Sequence, residues 1–451
     1  MGNQLNSKTE KIKTPKILFL FFAIIFLFGS FIISDNLKKG EKIQTLTKKL
    51  LFERSKIQNL ESKIKTLETY SKNLEEKNQE NENEKISSKE EKKIKDIFSK
   101  VQKIRGLSGT LPDKILKKTP TEALNYITSS FENSTNSEKF LNEEKILKIL
   151  NLIPKDSDYK KILFKLFETQ IGGFYDSSNG SLVLVSKNFS SDLNLSESEE
   201  YILSHELTHR LQDENLDLLG LLDNKNLDND TSLALLATIE GDATFVMERY
   251  RQQENLQIST SKDEILTTKT LLSSPTFIQD NLLFPYSEGY DFIKKVLESK
   301  KINFDFIYKN PPKTTEQIIH PEKFLSKEEP RKLEFDEKDF LQNDEKILYS
   351  TTGGEFFLRS FFKENLTRKN SSCSAGWGND KIFLIENNKN SKNKVFWIMN
   401  FDSSEDFDET KSCFEKVQKE NENFCKENCL KNQSKIEVSK KPDLLIVEFE
   451  N

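Results

Sequence analysis

The chain has 451 residues, of which 35% are hydrophobic, so it is long enough for two or three domains with sizeable cores. Its 68 basic residues nearly balance its 73 acidic residues, and no basic block lies beside interleaved aromatic residues. This charge pattern gives no indication of a nucleic-acid partner, and we expect none.

The first element along the chain is an uncharged, mostly apolar run at residues 17–34, which follows a short basic tail at residues 1–16. The run is just long enough to cross the hydrocarbon core of a bilayer. A cleaved signal peptide is the alternative, but the run is long for one and no small-x-small cleavage site follows it before Asp35. We therefore predict an uncleaved, single-pass membrane anchor, with the tail in the cytoplasm and the bulk of the chain extracytoplasmic.

Residues 40–77 carry a heptad repeat. Charged residues fill most of the positions outside a and d. The pattern predicts a coiled coil, and hence a homo-oligomer or a stalk, although a single polar helix packed on its own protein is the alternative. The charged stretch at residues 78–96 reads as a linker or a frayed helix. The apolar a and d positions are Ile43, Leu46, Leu50, Ile57, Leu60, Ile64, Leu67 and Leu74, interrupted by Glu53 and Ser71.

A predicted β-hairpin precedes the most informative helix of the region 97–344. Residues Ile171 to Ser186 form two apolar runs around an Asn179-Gly180 turn. Zinc peptidases have an edge strand that pairs with an extended substrate at this place before the catalytic helix. A plain core hairpin is the other interpretation, and the sequence does not separate the two.

The following helix carries the segment YILSHELTHR. Ser196 and Glu199 form a capping box at its start. Its leucines at positions 203, 207 and 211 recur at helical spacing and predict a face that packs on the core, separate from the polar residues. A helix with one packed face and one polar face suits a buried metal site.

That segment contains His205-Glu206-Leu207-Thr208-His209, and only three histidines occur in the whole chain. Histidines four residues apart lie one turn apart on the same helix face, so both can bind one metal ion. Zinc is the metal that this arrangement predicts, with His205 and His209 as ligands. Glu206 between them is the predicted general base for a metal-activated water.

A catalytic zinc needs a third protein ligand. The metzincin pattern is excluded because Gln212 and Asn215 occupy its glycine and histidine positions. Glu240 lies in the middle of the apolar face of a later helix, where an unpaired carboxylate is costly, so we assign it as the third ligand. Gly241 allows a neighbouring helix to approach closely. Asp242 lies about 200° around the helix from Glu240 and is expected to be structural.

A positively polarised donor is expected to stabilise the oxyanion of the tetrahedral intermediate. His320, the third histidine, is the candidate that we assign to this catalytic role, with a capping or core histidine as the alternative. Tyr286 and Tyr290 in the segment FPYSEGY are weaker candidates for the same task.

The four cysteines all lie near the C-terminus, at positions 373, 413, 425 and 429. An even number confined to one region suits a disulfide-stabilised exported domain with three possible pairings, whereas four reduced thiols are the alternative. The alternation of helix-like and strand-like segments predicts a second, smaller α+β domain at residues 345–451.

The segments HELTHRLQDENLDL and IEGDAT resemble the gluzincin group of zinc peptidases. They are more closely similar to a family of predicted membrane-anchored bacterial metallopeptidases. The similarity begins near Ile104 and covers roughly three quarters of the chain. It implies a zincin fold with ligands His205, His209 and Glu240 and base Glu206, and it implies no particular substrate.

The sequence therefore predicts an α+β protein with a zincin-like peptidase domain, tethered to a membrane and acting on a protein or peptide substrate. A catalytically silent zincin scaffold that oligomerises through its coiled coil is a second hypothesis. The retention of Glu206 argues against it, because a purely structural site has no need of a general base. A zinc amidase that acts on cell-wall material is a third hypothesis, which substrate profiling would separate from the first.

Overall fold

The computed structural model describes most of the chain between residues 88 and 450. The predicted tail, membrane anchor and coiled coil lie outside the described residues. Among the helices that are described, none is long and apolar enough to cross a membrane. The described ranges are 88–135, 138–170, 172–185, 195–216, 227–258, 269–299, 302–342, 344–366, 373–428, 436–441 and 444–450.

These residues form a mixture of helices and two sheets, which confirms the predicted α+β class. The helices are α1 (Ser88–Arg105), α2 (Pro120–Thr135), α3 (Glu138–Ile149), α4 (Tyr159–Gln170), α5 (Glu197–Leu216), α6 (Asn229–Glu254), α7 (Thr276–Glu298), α8 (Phe304–Lys309), α9 (Thr315–Ile319), α10 (Pro321–Ser326), α11 (Gly354–Asn365) and α12 (Ser404–Asn428). The strands are β1 (Lys114–Lys118), β2 (Gly173–Asp176), β3 (Ser181–Val185), β4 (Glu345–Thr351), β5 (Trp377–Asn387), β6 (Asn393–Phe401), β7 (Ile436–Lys441) and β8 (Leu444–Glu450).

Helix α1 begins at Ser88, inside the stretch that the sequence suggested was a charged linker. Its charged residues are compatible with packing because one face is apolar, and Ile94 on that face is fully buried. The buried carboxylate of Glu90 is neutralised by the ammonium of Lys117 at 2.6 Å. Composition alone suggested a linker here because the partner, Lys117, is supplied by a strand further along the chain.

The smaller sheet has the strand order β1-β3-β2. Strands β2 and β3 form the predicted antiparallel hairpin, and Gly180 in its turn has a φ of 69°, which favours glycine. Strand β1 pairs in parallel with β3, so β2 lies at one edge of the sheet. That edge faces α5, which packs beside β2.

Helices α6 and α7 pack with their backbones in contact. A Cβ atom added at Gly241 would lie 2.2 Å from the carbonyl oxygen of Gly289, and one added at Gly289 would lie 2.2 Å from that of Ala237. Only glycine allows an approach this close. This confirms the prediction that Gly241 brings its helix against a neighbour.

The larger sheet is antiparallel, with the order β4-β5-β6-β8-β7. Helices α11 and α12 pack on it, and a disulfide joins Cys373 to Cys413. The α+β pattern predicted for residues 345–451 is present, and it includes β4 and β7, which contain several charged or polar residues. One cluster of buried apolar side chains extends from α1 to β8, across the predicted domain boundary at residue 345.

The start of α6 is fixed against the larger sheet by buried carboxylates. Asp230 accepts a hydrogen bond from the backbone N–H of Thr315 at 2.9 Å. Gly354 packs so closely on Asp230 that any Cβ would overlap the carboxylate, and its φ is 77°. Asp380 on β5 accepts hydrogen bonds from the backbone N–H groups of Gly353 and Gly354 at 2.9 and 2.8 Å. These contacts hold the helix that carries Glu240 in a fixed direction.

Candidate metal centre

Helix α5 positions the His-Glu-x-x-His segment as the sequence predicted. Ser196 donates hydrogen bonds from its backbone N–H and its hydroxyl to the carboxylate of Glu199. The backbone N–H of Glu199 donates in return to the Ser196 hydroxyl. These bonds confirm the predicted capping box. The leucine stripe is buried, with Leu207 and Leu211 fully inaccessible. The packed face leaves His205, Glu206 and His209 on the arc of α5 that faces β2, α6 and α7.

Helix α6 brings Glu240 to the two histidines. The Nε2 atom of His205 lies 2.9 Å from that of His209, and Glu240 Oε2 lies 3.1 Å from the first and 3.3 Å from the second. All three side chains are buried. Among the described residues, one other group of metal-ligand type converges in this way, and it is treated below.

The spacing and chemistry of these three atoms fit a zinc ion. Tetrahedral zinc with ligand distances of about 2.0–2.1 Å holds its ligand atoms about 3.3–3.4 Å apart. Two imidazoles and one carboxylate are a donor set that zinc commonly takes in catalytic sites. The two imidazole Nε2 atoms lie 2.9 Å apart, so they either share a proton in a hydrogen bond or both direct a lone pair at a cation between them.

The predicted general base, Glu206, has one oxygen bonded and one oxygen available. Its Oε2 accepts a hydrogen bond from the backbone N–H of Tyr175 on β2 at 2.9 Å. Its Oε1 is buried and has no hydrogen-bond partner among the described residues. Burial raises the pKa of Glu206 to about 8, a shift that the nearby His209 reduces and Glu240 increases. The raised pKa means that the ionised carboxylate has a high proton affinity, which suits a general base.

The two histidines differ in their proton affinity. Burial lowers the pKa of His205 to about 4, and Glu240 offsets this only in part. Burial also lowers the pKa of His209, but the carboxylates of Glu240 and Glu206 outweigh it and raise that pKa to about 9. For Glu240, the positive side chains overcome burial and keep its pKa below the ordinary value. The carboxylates of Glu240 and Glu206 therefore favour a positive charge at the histidines, as expected of a cation-binding site.

Tyr286 on α7 lies beside the three predicted ligands, whereas Tyr290 packs on Phe245. The ring of Tyr286 is 6.1 Å from that of His205, and its buried hydroxyl lies close enough to Glu240 for the carboxylate to affect its pKa. Burial and the carboxylates of Glu240 and Glu206 raise its pKa well above 10, so it stays a neutral donor. Of the donors proposed from the sequence, Tyr286 is the one that these contacts bring to the group.

His320 belongs to a different set of contacts. It lies between α9 and α10, and its Nε2 atom is 3.0 Å from Glu355 Oε2 on α11. Its Nδ1 atom is 3.6 Å from Glu322. The hydrogen bond to Glu355 raises the pKa of His320. The described contacts therefore join His320 to the sheet-packing helix and not to His205, His209 and Glu240.

Asp242 takes no part in the ligand group, in agreement with its predicted position on the helix. Its carboxylate bonds the guanidinium of Arg105 at 2.8–2.9 Å and accepts a hydrogen bond from the hydroxyl of Tyr308 at 2.9 Å. Gln212, three residues after His209, connects the metal-ligand group to Asp242. Its Oε1 lies 2.8 Å from His209 Nδ1, and its Nε2 lies 3.0 Å from Asp242.

Sequence reasoning did not assign a role to Gln212, Arg105 or the backbone of Tyr175. The presence of Gln212 three residues after a histidine of the motif was a usable signal for a contact on one helix face. Arg105 and Tyr175 reach the site from elements that are distant along the chain, and no local spacing indicates this.

A second group of acidic residues contains Glu316, Glu328 and Asp402. The ammonium of Lys323 lies between them, at 2.7, 2.8 and 2.5 Å. This group therefore already holds a cation, and its contacts join α9 and α10 to the end of β6.

Comparison with known proteins gives one match, in the C-terminal part of the chain. A family model described as a domain of unknown function (DUF8575) matches residues 346–441. No curated protein and no solved structure matches the chain. The match does not include α5 or α6, so it does not bear on the metal-ligand group, and the resemblance to the gluzincins stays a prediction.

Proposed function

We propose that the protein is a zinc-dependent peptidase with a zincin-like catalytic domain, in which His205, His209 and Glu240 bind the metal and Glu206 is the general base. One observation carries the proposal. A buried carboxylate oxygen without a hydrogen-bond partner among the described residues, Glu206 Oε1, belongs to the residue between the two histidines, and the three ligand atoms lie 2.9–3.3 Å apart, close to the spacing of zinc ligands. A site built only for stability would satisfy that oxygen, because a buried polar atom without a partner costs about 1–3 kcal/mol.

The bound zinc would supply a Lewis acid that activates water and polarises the substrate carbonyl. Glu206 Oε1 takes the proton of the attacking water and delivers it to the leaving amine. The N–H of Tyr175 holds the other oxygen of Glu206 and thereby fixes the direction of Oε1. The neutral hydroxyl of Tyr286 supplies a hydrogen-bond donor close to the group, and His320 stays the alternative donor that the sequence suggested.

Strand β2 is the proposed place for the substrate backbone. It lies at the edge of its sheet and beside α5, but all four of its residues are buried, so an extended peptide would add to it as a further strand only after a neighbouring element moves away. The N–H of Tyr175 is already bonded to Glu206, which places Glu206 at the same edge. A peptide that pairs with β2 therefore brings a scissile bond close to the general base.

The burial of the centre favours a second candidate function, a catalytically silent scaffold. His205, Glu206, His209 and Glu240 are each at most 2% exposed. A peptide bond reaches Glu206 only when a neighbouring element moves, and a scaffold has no need of such a movement. Proteolysis by the intact chain is therefore the decisive measurement between the two functions.

We further propose that the chain is anchored in a membrane through residues 17–34, with the catalytic region extracytoplasmic and oligomerised through residues 40–77. The disulfide between Cys373 and Cys413 supports this location, because disulfides persist in oxidising compartments. Labelling of the cysteines by a membrane-impermeant reagent after reduction in intact cells tests the orientation.

The test of the activity uses the full-length protein in detergent, with metal content and cleavage of a broad peptide library measured together. We expect about one zinc per chain and cleavage by the wild type. Glu206→Gln should keep the zinc and lose cleavage. Glu214→Gln is the matched control, since Glu214 is on the same helix and bonds Thr110 away from the ligand group. Zinc without cleavage by either wild type or Glu206→Gln would overturn the peptidase function.

A further inference from the structure

We propose that Gln212 is a positioning residue that fixes His209 with its Nε2 atom turned towards the ligand group. The inference rests on the proposed zinc-binding function and adds a residue to it. A metal-binding histidine needs a hydrogen-bond acceptor at its other ring nitrogen, because that bond sets the tautomer and the ring orientation. The neutral amide of Gln212 supplies this acceptor.

The amide of Gln212 has one possible orientation. Its Oε1 atom lies 2.8 Å from His209 Nδ1. Its Nε2 atom lies 3.0 Å from the carbonyl oxygen of Ile239, 3.0 Å from Asp242 Oδ2 and 3.1 Å from the hydroxyl of Tyr308. A flipped amide would place its oxygen against the Ile239 carbonyl and the Asp242 carboxylate, neither of which donates.

The fixed amide decides which nitrogen of His209 carries a proton. Because Gln212 Oε1 can only accept, His209 Nδ1 must donate to it. The Nε2 atom of neutral His209 then presents its lone pair to His205 and Glu240, which is the form that binds a metal. Gln212 is fully buried, so water does not compete for this hydrogen bond.

A second layer of contacts holds the amide in place. The carboxylate of Asp242 bonds Gln212, the Tyr308 hydroxyl and the Arg105 guanidinium. That guanidinium also lies 3.9 Å above the ring of Phe304. These residues come from α1, α5, α6 and α8, so four elements converge on one side chain. Since Arg105 pairs with Asp242, the negative charge behind the amide is neutralised, and His209 has a neutral partner.

The experiment measures metal binding by the full-length protein, independently of proteolysis. Zinc and cobalt affinities are obtained by chelator competition, and the visible spectrum of the cobalt-loaded protein reports the ligand geometry. Gln212→Met keeps the size of the side chain and removes the acceptor. Gln212→Glu keeps an acceptor for His209 but loses the donors to Ile239 and Asp242. The matched control is Gln317→Met, because Gln317 is also buried and bonds Lys313 and Glu328 far from the ligand group.

We expect Gln212→Met to weaken zinc and cobalt binding about 10–100-fold and to change the cobalt spectrum. Gln212→Glu should keep both affinities within about threefold of the wild type while it lowers the free energy of unfolding. Gln317→Met should lower stability only. If neither Gln212 variant folds, Tyr308→Phe, which removes one contact of the amide, should weaken metal binding, whereas Tyr290→Phe should not.

Two results would overturn the inference. One is a folded Gln212→Met with wild-type metal affinity and cobalt spectrum, and the other is an equal loss of affinity in Gln317→Met. If neither Gln212 variant folds, equal metal affinity in Tyr308→Phe and Tyr290→Phe would also overturn the inference. A wild type that binds no zinc would overturn the proposed function itself, which is a different outcome from a zinc-binding wild type with an unaffected Gln212→Met.

Discussion

Glu206 and Asp380 are both buried carboxylates, but they differ in the number of hydrogen bonds that they accept. Asp380, at the junction of α11 and the larger sheet, accepts four hydrogen bonds of 2.8–2.9 Å, from the N–H groups of Gly353 and Gly354 and from the indoles of Trp377 and Trp397. Glu206 accepts one, from Tyr175, and its Oε1 has no partner among the described residues. Burial raises the pKa of both groups, but at Asp380 the four donors oppose the shift.

The number of hydrogen-bond donors distinguishes a carboxylate that supports the fold from one that takes part in a reaction. A buried carboxylate that only supports a fold is saturated with donors, since each missing partner costs free energy. A carboxylate that must receive a proton from a substrate keeps an oxygen available. By this criterion Asp380 supports the packing of the sheet, and Glu206 is the candidate for the reactive group.

The largest expected effect is the loss of proteolysis in Glu206→Gln. The amide cannot act as a base, so kcat should fall about 10²–10⁴-fold with zinc still bound. The free energy of unfolding should change by less than about 1 kcal/mol, because only the hydrogen bond from Tyr175 is weakened. Steady-state kinetics and urea unfolding measure the two quantities. Loss of several kcal/mol of stability would show that Glu206 is structural in the same sense as Asp380.

Asp380→Ala should show the reverse pattern. It leaves four buried donors without an acceptor and should destabilise the protein by about 3–5 kcal/mol. Chemical denaturation measures this loss, and zinc content per folded molecule should be unchanged. Asp408→Ala, on α12 and exposed, serves as the control with little effect. A stability loss below about 1 kcal/mol would contradict the structural role of Asp380.

Gly241→Ala tests whether the ligand group depends on close helix packing. The added methyl overlaps the backbone of Gly289, so α6 must move away from α7, at a cost of about 1–3 kcal/mol. Zinc affinity should fall as well, because Glu240 is the adjacent residue. Thermal unfolding and chelator competition provide the measurements. Ser287→Ala, at an exposed position of α7, should leave both unchanged, and wild-type behaviour of Gly241→Ala would disprove the close packing.

Glu316 lies between the two extremes, because it is buried yet bonded to Lys323. Burial raises its pKa to about 7, despite the opposing effect of Lys323. A carboxyl that holds its proton more tightly in the folded state stabilises that state at low pH. This contribution, about 3 kcal/mol, is lost as the pH rises from about 4.5 to about 7. Unfolding curves of wild type and Glu316→Gln should therefore differ in slope over this interval. Parallel curves would contradict the shift.

Much of the site could be predicted from the sequence because its elements are local. The capping box, the leucine stripe and the spacing of His205 and His209 all follow from the geometry of one helix. Glu240 was found because a carboxylate in an apolar helix face demands a partner. Its distance of 3.1–3.3 Å from both histidines agrees with that reasoning.

The remaining features depend on contacts between distant segments. The bond from Tyr175 to Glu206 joins a strand to a helix, and the pair of Arg105 and Asp242 joins residues 137 positions apart. The contact between His320 and Glu355 exists only because α11 packs beside α9 and α10. For residues 78–96 the sequence left a linker and a frayed helix as alternatives, and the structure shows a helix from Ser88 onward whose buried Glu90 is neutralised from β1.

The sequence by itself was enough to predict the type of chemistry, because two histidines one turn apart and a glutamate between them are typical of a metal site within one helix. Only the tertiary structure decided which oxygen of Glu206 is available, which aromatic donor lies beside the ligands and how His209 is oriented. These properties are set by hydrogen bonds between separate elements. A hydrogen bond depends on distance and direction in three dimensions, which the order of residues along one chain does not contain.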